Sequence, residues 1–241
     1  MLWIAHRGES FDAPENTMSA FRLAAQSGAD GIECDIHLTR DGEVVCIHDA
    51  DTERTSNAAF KVAETSFPAL RKLDFGSWKD PKWQGEKIPL LAELFEAVKP
   101  GMKVFIEIKS DPVIINQMKP VLSKSRLKND QIVIISFDQA AILEAKKLLP
   151  QLKACWLCDY DENCHPTAEE IITVLRRTGA DGVDSCCADF IDAEFIRKIH
   201  DAGFEFHVWT IDEPEQAARF KAMGVDSITS NRAGFLKKFF S

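Results

Sequence analysis

Ser27-Gly28-Ala29-Asp30-Gly31-Ile32-Glu33-Cys34-Asp35-Ile36 compresses a helix end, a turn and a strand into one short stretch. Upstream of it, Met18, Phe21, Leu23, Ala24 and Ala25 supply an apolar face at helical spacing from Thr17 to Ser27, with Asn16 or Glu15 as the expected cap. Gly28, just past the last periodic residue, favours a left-handed helix end. Downstream, residues 31–36 read as a strand. The phrase returns as Thr178-Gly179-Ala180-Asp181-Gly182 and as Met223-Gly224-Val225-Asp226, each time followed by an apolar run. Further outward, short apolar runs predict strands at residues 3–5, 44–47, 104–108, 132–136, 152–157, 182–185, 205–209 and 227–229. Amphipathic runs between them predict helices near residues 90–98, 114–123, 139–148, 168–177, 193–202, 215–223 and 233–239. Eight βα units of this kind close into a TIM (β/α)8 barrel, which usually takes about 250 residues; this chain has 241. A doubly wound open sheet is the competing fold. It requires a switch point and fewer repeats, and the chain holds no glycine-rich dinucleotide fingerprint.

Residues 49–89 break the rhythm. The stretch contains Pro68, Gly76, Trp78, Pro81, Trp83 and Gly85, and it is too long for an ordinary βα loop. It is expected to form a small subdomain, residues 50–88, inserted after the second strand of a single catalytic domain spanning 1–241. Its aromatics, Phe60, Phe67, Phe75, Trp78 and Trp83, are expected to pack as a mini-core; a lipid-facing surface is the alternative.

With 45% hydrophobic and 28% charged residues, the composition is that of a soluble globular protein. The net charge of -9 and the lack of a basic block argue against nucleic acid as a main partner. A small anionic substrate stays open, because a metal and a few cations can reverse the potential of one cleft. The apolar run Met1–Ala5 stops at His6-Arg7, so neither a secretory signal nor a membrane span is read, and cytoplasm is the expected compartment. Of the seven cysteines, Cys34, Cys46, Cys155 and Cys186 fall in strand-like runs and read as buried thiols. Cys155, Cys158, Cys164 and His165 resemble a zinc site only loosely, and structural thiols are the expected reading.

The chemistry is concentrated where polar residues interrupt strands. Alternation puts Glu33 and Asp35 on one face. Two buried carboxylates without partners would cost several kcal/mol, and a hard cation removes that penalty by making them ligands. Glu107 in Ile106-Glu107-Ile108-Lys109 poses the same problem, with Lys109 on its face. An ion-pair network without metal is the alternative. His6 ends the first strand and is followed by Arg7 and Gly8; His48 follows Ile47. A histidine pair at strand ends can supply one base and one acid, although either ring could instead ligate metal. Arg7 offers a bidentate donor for phosphate oxygens. His37 is not assigned a role, His165 and His200 read as surface residues, and His207 reads as an internal hydrogen-bonding residue.

These residues carry a resemblance. Ala5-His6-Arg7-Gly8, Pro14-Glu15-Asn16-Thr17, Gly31-Ile32-Glu33-Cys34-Asp35, Thr39-Arg40-Asp41-Gly42, His48-Asp49, Glu107-Ile108-Lys109 and Val208-Trp209-Thr210 follow one another in the order of the glycerophosphodiester phosphodiesterase family, which the chain resembles as far as Asn231-Arg232. The resemblance implies a barrel with an insertion after the second strand. It implies a divalent cation, Ca2+ or Mg2+, on Glu33, Asp35 and Glu107, with His6 and His48 as the acid–base pair. It also implies phosphate contacts from Arg7 and Lys109, a positioning role for Asn16, and packing of Trp209 on the glycerol moiety. The reaction implied is hydrolysis of glycerophosphodiesters to sn-glycerol 3-phosphate and an alcohol, through a cyclic phosphate or by direct attack of water. Departures follow Arg54-Thr55, where the glycine-rich continuation of the family is missing, and Arg232, where Ala233 replaces a common proline. Two other readings remain at this stage: a lysophospholipid-directed or phospholipase D-like enzyme of the same superfamily, and a non-catalytic phosphodiester-binding or scaffold protein.

Overall fold

The structure is a computed structural model that describes residues 1–160 and 165–241. Eight parallel strands close into a barrel: β1 (Leu2–Ala5), β2 (Gly31–Leu38), β4 (Lys103–Ile108), β5 (Ile132–Ser136), β6 (Lys153–Cys158), β7 (Gly182–Cys186), β8 (Glu205–Trp209) and β9 (Ser227–Ser230). Closure comes from β1, which pairs with both β9 and β2. The ninth strand, β3 (Val44–Cys46), pairs antiparallel with β2. The helices in chain order are α1 (Met18–Ser27), α2 (Phe67–Leu70), α3 (Leu91–Ala97), α4 (Ile114–Lys124), α5 (Gln139–Leu148), α6 (Ala168–Thr178), α7 (Ala193–Asp201), α8 (Pro214–Met223) and α9 (Ala233–Phe239). All except α2 follow the barrel order.

Strand alternation divides the core in two. Trp3, Ala5, Ile32, Cys34, Val104, Ile106, Phe206 and Val208 join the large cluster shared with the helices, whereas Ile4, Phe105, Val133, Ile135, Cys155 and Leu157 form a separate cluster inside the barrel. Burying each large aliphatic or aromatic side chain is worth roughly 1.5–3 kcal/mol. The outer faces of the strands are mainly apolar, with Ser136, Ser185 and Ser230 at strand ends as the buried polar exceptions. The interior carries polar residues as well, among them Glu33, Asp35 and Glu107 on β2 and β4, which the sequence picked out, and Asp184 and His207 on β7 and β8.

Gly28, Gly179 and Gly224, at the ends of the three repeated phrases, adopt left-handed conformations as expected. The start of α1 differs from expectation. Its cap is Thr17, whose hydroxyl accepts from the Ala20 amide, because the side chains of Asn16 and Glu15 are engaged elsewhere. The stretch after β3 contains 3-10 turns at Val62–Glu64 and Pro81–Trp83 as well as α2. Its small core joins Val62, Leu70, Phe75 and Ile88 to Val45 and Ile47. The mini-core reading thus holds for Phe75 and for the half-buried Phe67; Phe60 and Trp78 are instead 47% and 38% exposed.

Cys34, Cys46 and Cys155 are buried; Cys186 is only half-buried, because it ends β7 at the barrel rim. The loose zinc reading does not hold together. Alternation turns Cys155 into the barrel and Cys158 toward the helices, and Cys164 lies outside the described residues. His165 is exposed, as expected. His200 is half-buried rather than a free surface residue, because its Nε2 meets Asp226 Oδ2 at 3.0 Å. Among the described residues, no helix is long and apolar enough to cross a membrane.

Candidate active site

Glu33 and Asp35 point inward from β2, and Asp35 stands in register with Glu107 on β4. One oxygen from each of the three carboxylates lies within 4.8 Å of the others. Glu33 Oε1 and Asp35 Oδ1 are buried and accept no hydrogen bond. The remaining oxygens are held in place: the Arg7 amide donates to Glu33 Oε2 at 2.8 Å, and Asn16 Nδ2 donates to Asp35 Oδ2 at 2.8 Å. Lys109 Nζ sits 3.0 Å from Glu107 Oε1, and Arg7 Nε 3.3 Å from Asp35 Oδ2. Burial, reinforced by Asp35 and Glu107, pushes the Glu33 carboxyl well above its usual range. Burial and Asp35 push Glu107 up to about 8. Asp35 goes the other way, since Arg7, His48 and His6 outweigh its burial and hold it below the usual carboxylate range. Converging all-oxygen donors with idle buried lone pairs are a set that a hard divalent cation fits, and a cation would offset the burial and mutual repulsion that raise Glu33 and Glu107.

The histidines stand on either side. His6 follows β1 directly, in a turn where Arg7 and Gly8 take left-handed conformations (φ 55° and 82°). At Gly8 a Cβ would lie 2.6 Å from the Ala20 backbone, so only glycine lets α1 approach. His6 Nδ1 lies 2.8 Å from Asn231 Oδ1. Asn231 Nδ2 is committed to Asp212 Oδ2 at 2.6 Å, so the atom facing His6 is an acceptor and His6 Nδ1 carries the proton. Burial, with Arg7 beside it, pushes the His6 ring down to about 4 and keeps it neutral near pH 7. His48 Nδ1 pairs with Asp49 Oδ1 at 2.6 Å, and Lys109 Nζ lies 3.1 Å from His48 Nε2. Against burial, Arg54 and His48 hold the Asp49 carboxyl down to about 2. Arg54 also grips Glu15 with two bonds of 2.8 Å, and Glu15 returns 2.8 Å to Arg7. A ring of charge therefore joins the first loop to the stretch after β3.

A cavity of about 240 Å³ is lined by His6, Arg7, Glu33, His48, Glu107, Lys109 and Trp209, with Asp184 among the other lining residues. Seven of the nine residues singled out from the sequence therefore share one chamber at the C-terminal ends of the strands. Asp35 and Asn16 lie just behind it, each buried and bonded to the other. His37 braces the chamber from outside, its Nε2 3.0 Å from the His48 carbonyl. Sequence reasoning missed Asn231 and Asp212, which orient His6, and the roles of Glu15, Asp49 and Arg54. Asp49, Glu15 and Asn231 stand inside the quoted phrases, and that was the available signal.

Residues 6–235 match the model of the Glycerophosphoryl diester phosphodiesterase family. The chain belongs to that family. It is 35% identical over 238 residues to the glycerophosphodiester phosphodiesterase of Caldanaerobacter subterraneus subsp. tengcongensis, covering 95% of this chain and 93% of the relative. Among solved structures it resembles a phosphodiesterase of Oleispira antarctica in complex with its product sn-glycerol-3-phosphate, with a TM-score of 0.90 at 28% identity over 98% of this chain and 95% of that one. A glycerophosphodiester phosphodiesterase from Agrobacterium tumefaciens superposes with a TM-score of 0.81 at 25% identity, covering 98% of both chains. Both solved structures thus share this fold over almost the whole chain.

Proposed function

We propose that the chain hydrolyses glycerophosphodiesters to sn-glycerol 3-phosphate and an alcohol, with Glu33, Asp35 and Glu107 holding one Ca2+ or Mg2+ ion. The observation that carries this reading is the meeting of three carboxylates, two histidines, Arg7 and Lys109 in one chamber of a family barrel. The product-bound relative supports the choice of product. When bound, the cation supplies charge neutralisation at the phosphate and makes a nearby hydroxyl easier to deprotonate.

The chain's own groups do the rest. Arg7 and Lys109 receive the non-bridging phosphate oxygens and offset the charge that grows there. Trp209, held by a bond from its Nε1 to the Asp184 carbonyl at 3.1 Å and packed edge-on against Phe137, offers its face to the glycerol carbons. One histidine takes the proton of the glycerol 2-hydroxyl as that oxygen attacks phosphorus, and the other gives a proton to the departing alcohol. Asn231 and Asp49 each face an Nδ1, so Nε2 is the working atom of both rings: it takes the proton in the ring that starts neutral and gives one in the ring that starts doubly protonated. Water then opens the cyclic glycerol phosphate with the two roles exchanged.

A diester lacking the glycerol 2-hydroxyl tests the route. It should bind as well as the normal substrate and turn over at least about 100-fold more slowly, within the ~10² to 10⁴ expected of a lost proton-transfer step. Turnover at the normal rate would replace the cyclic route with direct attack by water. Absence of sn-glycerol 3-phosphate among the products of any glycerophosphodiester tried would reject the activity itself.

A further inference from the structure

The barrel interior holds a second polar cluster, one layer below the chamber just described, toward the N-terminal ends of the strands. Cys155 on β6 and Glu205 on β8 stand in register with Gly182 of the strand between them. Gly182 leaves that gap open: a Cβ there would lie 2.6 Å from the Glu205 carbonyl oxygen and 2.9 Å from its Cβ. Two residues along β8, His207 also points inward. One donor atom each from Cys155, Glu205 and His207 lies within 4.8 Å of the other two.

The histidine is set up from behind. His207 Nδ1 is 2.8 Å from Ser227 Oγ, and Phe105 packs edge-on against the ring at 5.5 Å. That leaves Nε2 for the cluster. Nε2 is buried and makes no hydrogen bond, although Glu205 Oε2 approaches it to 3.4 Å. The residue is only 3% exposed, so bulk solvent does not reach that nitrogen. Neighbouring Asp184, in register with His207, also buries an oxygen that accepts no hydrogen bond. The other oxygen of Glu205 is tied to Lys153, which holds the carboxylate in place.

We propose that Cys155, Glu205 and His207 form a second metal site, taking a borderline divalent cation such as Zn2+. Thiolate, imidazole and carboxylate are the donors that zinc accepts, at about 2.3, 2.0–2.1 and 2.0–2.2 Å respectively. In a tetrahedron with bonds of that length, nitrogen and oxygen ligands stand about 3.3–3.5 Å apart, which the 3.4 Å contact between His207 and Glu205 matches. The Ser227 contact on Nδ1 is the kind of outer hydrogen bond that orients a ligating imidazole. The site differs in kind from the all-carboxylate set of Glu33, Asp35 and Glu107. Burial pushes the Cys155 thiol up and, against burial, Cys155 and Glu205 push the His207 ring well above its usual range, so a cation bound by both displaces a proton from each to solvent. Glu205 is partly exposed at the bottom of the barrel and marks the way in.

The test uses Co2+ as a spectroscopic probe on the full chain after metal stripping. One equivalent should produce a thiolate-to-cobalt charge-transfer band and the visible bands of tetrahedral cobalt. Both should persist in Glu107→Gln, which damages only the carboxylate set. Cys155→Ala should abolish the charge-transfer band. Glu205→Gln, at a partly exposed position that keeps its shape, should weaken Co2+ at least about 10-fold and covers the case in which the cysteine variant fails to fold. No charge-transfer band in the unaltered chain would overturn the proposal. So would a band that survives in Cys155→Ala, which would place ligation on another cysteine, or an unchanged affinity in Glu205→Gln.

Discussion

Asn231 decides which nitrogen of His6 carries the proton, and it does so from a distant part of the chain. Its amide is polarised by Asp212 on one side and accepts from His6 and Ser10 on the other. Asn231→Ala should lower kcat about 10- to 100-fold with little change in KM, since misplacing a catalytic group by about 1 Å can cost ~10². Steady-state kinetics checks this, and a pure KM effect would make Asn231 a substrate contact instead. Glu9 gives a prediction of another kind. Its buried carboxylate accepts from the Gly234 amide at 3.1 Å, and burial pushes the group up to about 7. With the folded value above the unfolded one, the folded state binds more protons between about pH 4.5 and 7, and stability falls as pH rises through that window. Glu9→Gln keeps an acceptor without the charge. It should flatten that fall and equal or exceed the parent at pH 8, by something on the order of 1–3 kcal/mol. Denaturant melts across the pH range measure it; parallel curves for the two proteins would refute it.

Among the elements, the stretch between β3 and α3 has two attachments. Its small core is completed by Val45 and Ile47, and Arg71 clamps Glu93 at 2.6 and 2.7 Å. Excising it would leave those apolar residues bare, so its effect on selectivity is better read from its exposed side chains. Lys79, next to Trp78 in the chain, docks on the Ser10 carbonyl at 2.8 Å in the loop after His6, and the Phe60 amide donates to Thr52, four residues on from His48. We expect Phe60→Ala and Trp78→Ala to change relative rates among diesters with different alcohol groups. Stability should fall by about 1–2 kcal/mol in each, because both side chains are more than half covered and Trp78 Nε1 donates to the Phe75 carbonyl. An unchanged ranking of substrates would make the stretch a cover for the barrel edge. The same elements show what local reading could reach. The left-handed glycines and the alternation in β2 and β4 are short-range properties and were legible. The start of α1 was not, because Asn16 and Glu15 are capping residues by local preference and were claimed by Asp35, Arg7 and Arg54 instead.

For the whole molecule, metal and stability should be linked. A cation held by Glu33, Asp35 and Glu107 as proposed would bind the folded chain alone, so saturation at about 100 times Kd would add roughly 2.7 kcal/mol. Chelation should abolish turnover and lower the melting temperature, and Ca2+ or Mg2+ should restore both. Full activity in rigorously stripped protein would leave the carboxylates as an ion-pair network. The sequence by itself determined the barrel, because its repeated βα phrases and strand alternation are set by backbone geometry and by burial within a few residues. It also determined the carboxylates, histidines and cations of the chamber, because a charged residue inside an apolar strand is costly wherever the strand goes. Tertiary structure alone decided the rest. Closing β1 onto β9 brings Asn231 to His6, folding back after β3 brings Arg54 to Glu15, and alternation separates Cys155 from Cys158 and sets it across Gly182 from Glu205. Those pairings depend on contacts between strands far apart in the chain, and no local preference of either partner encodes them.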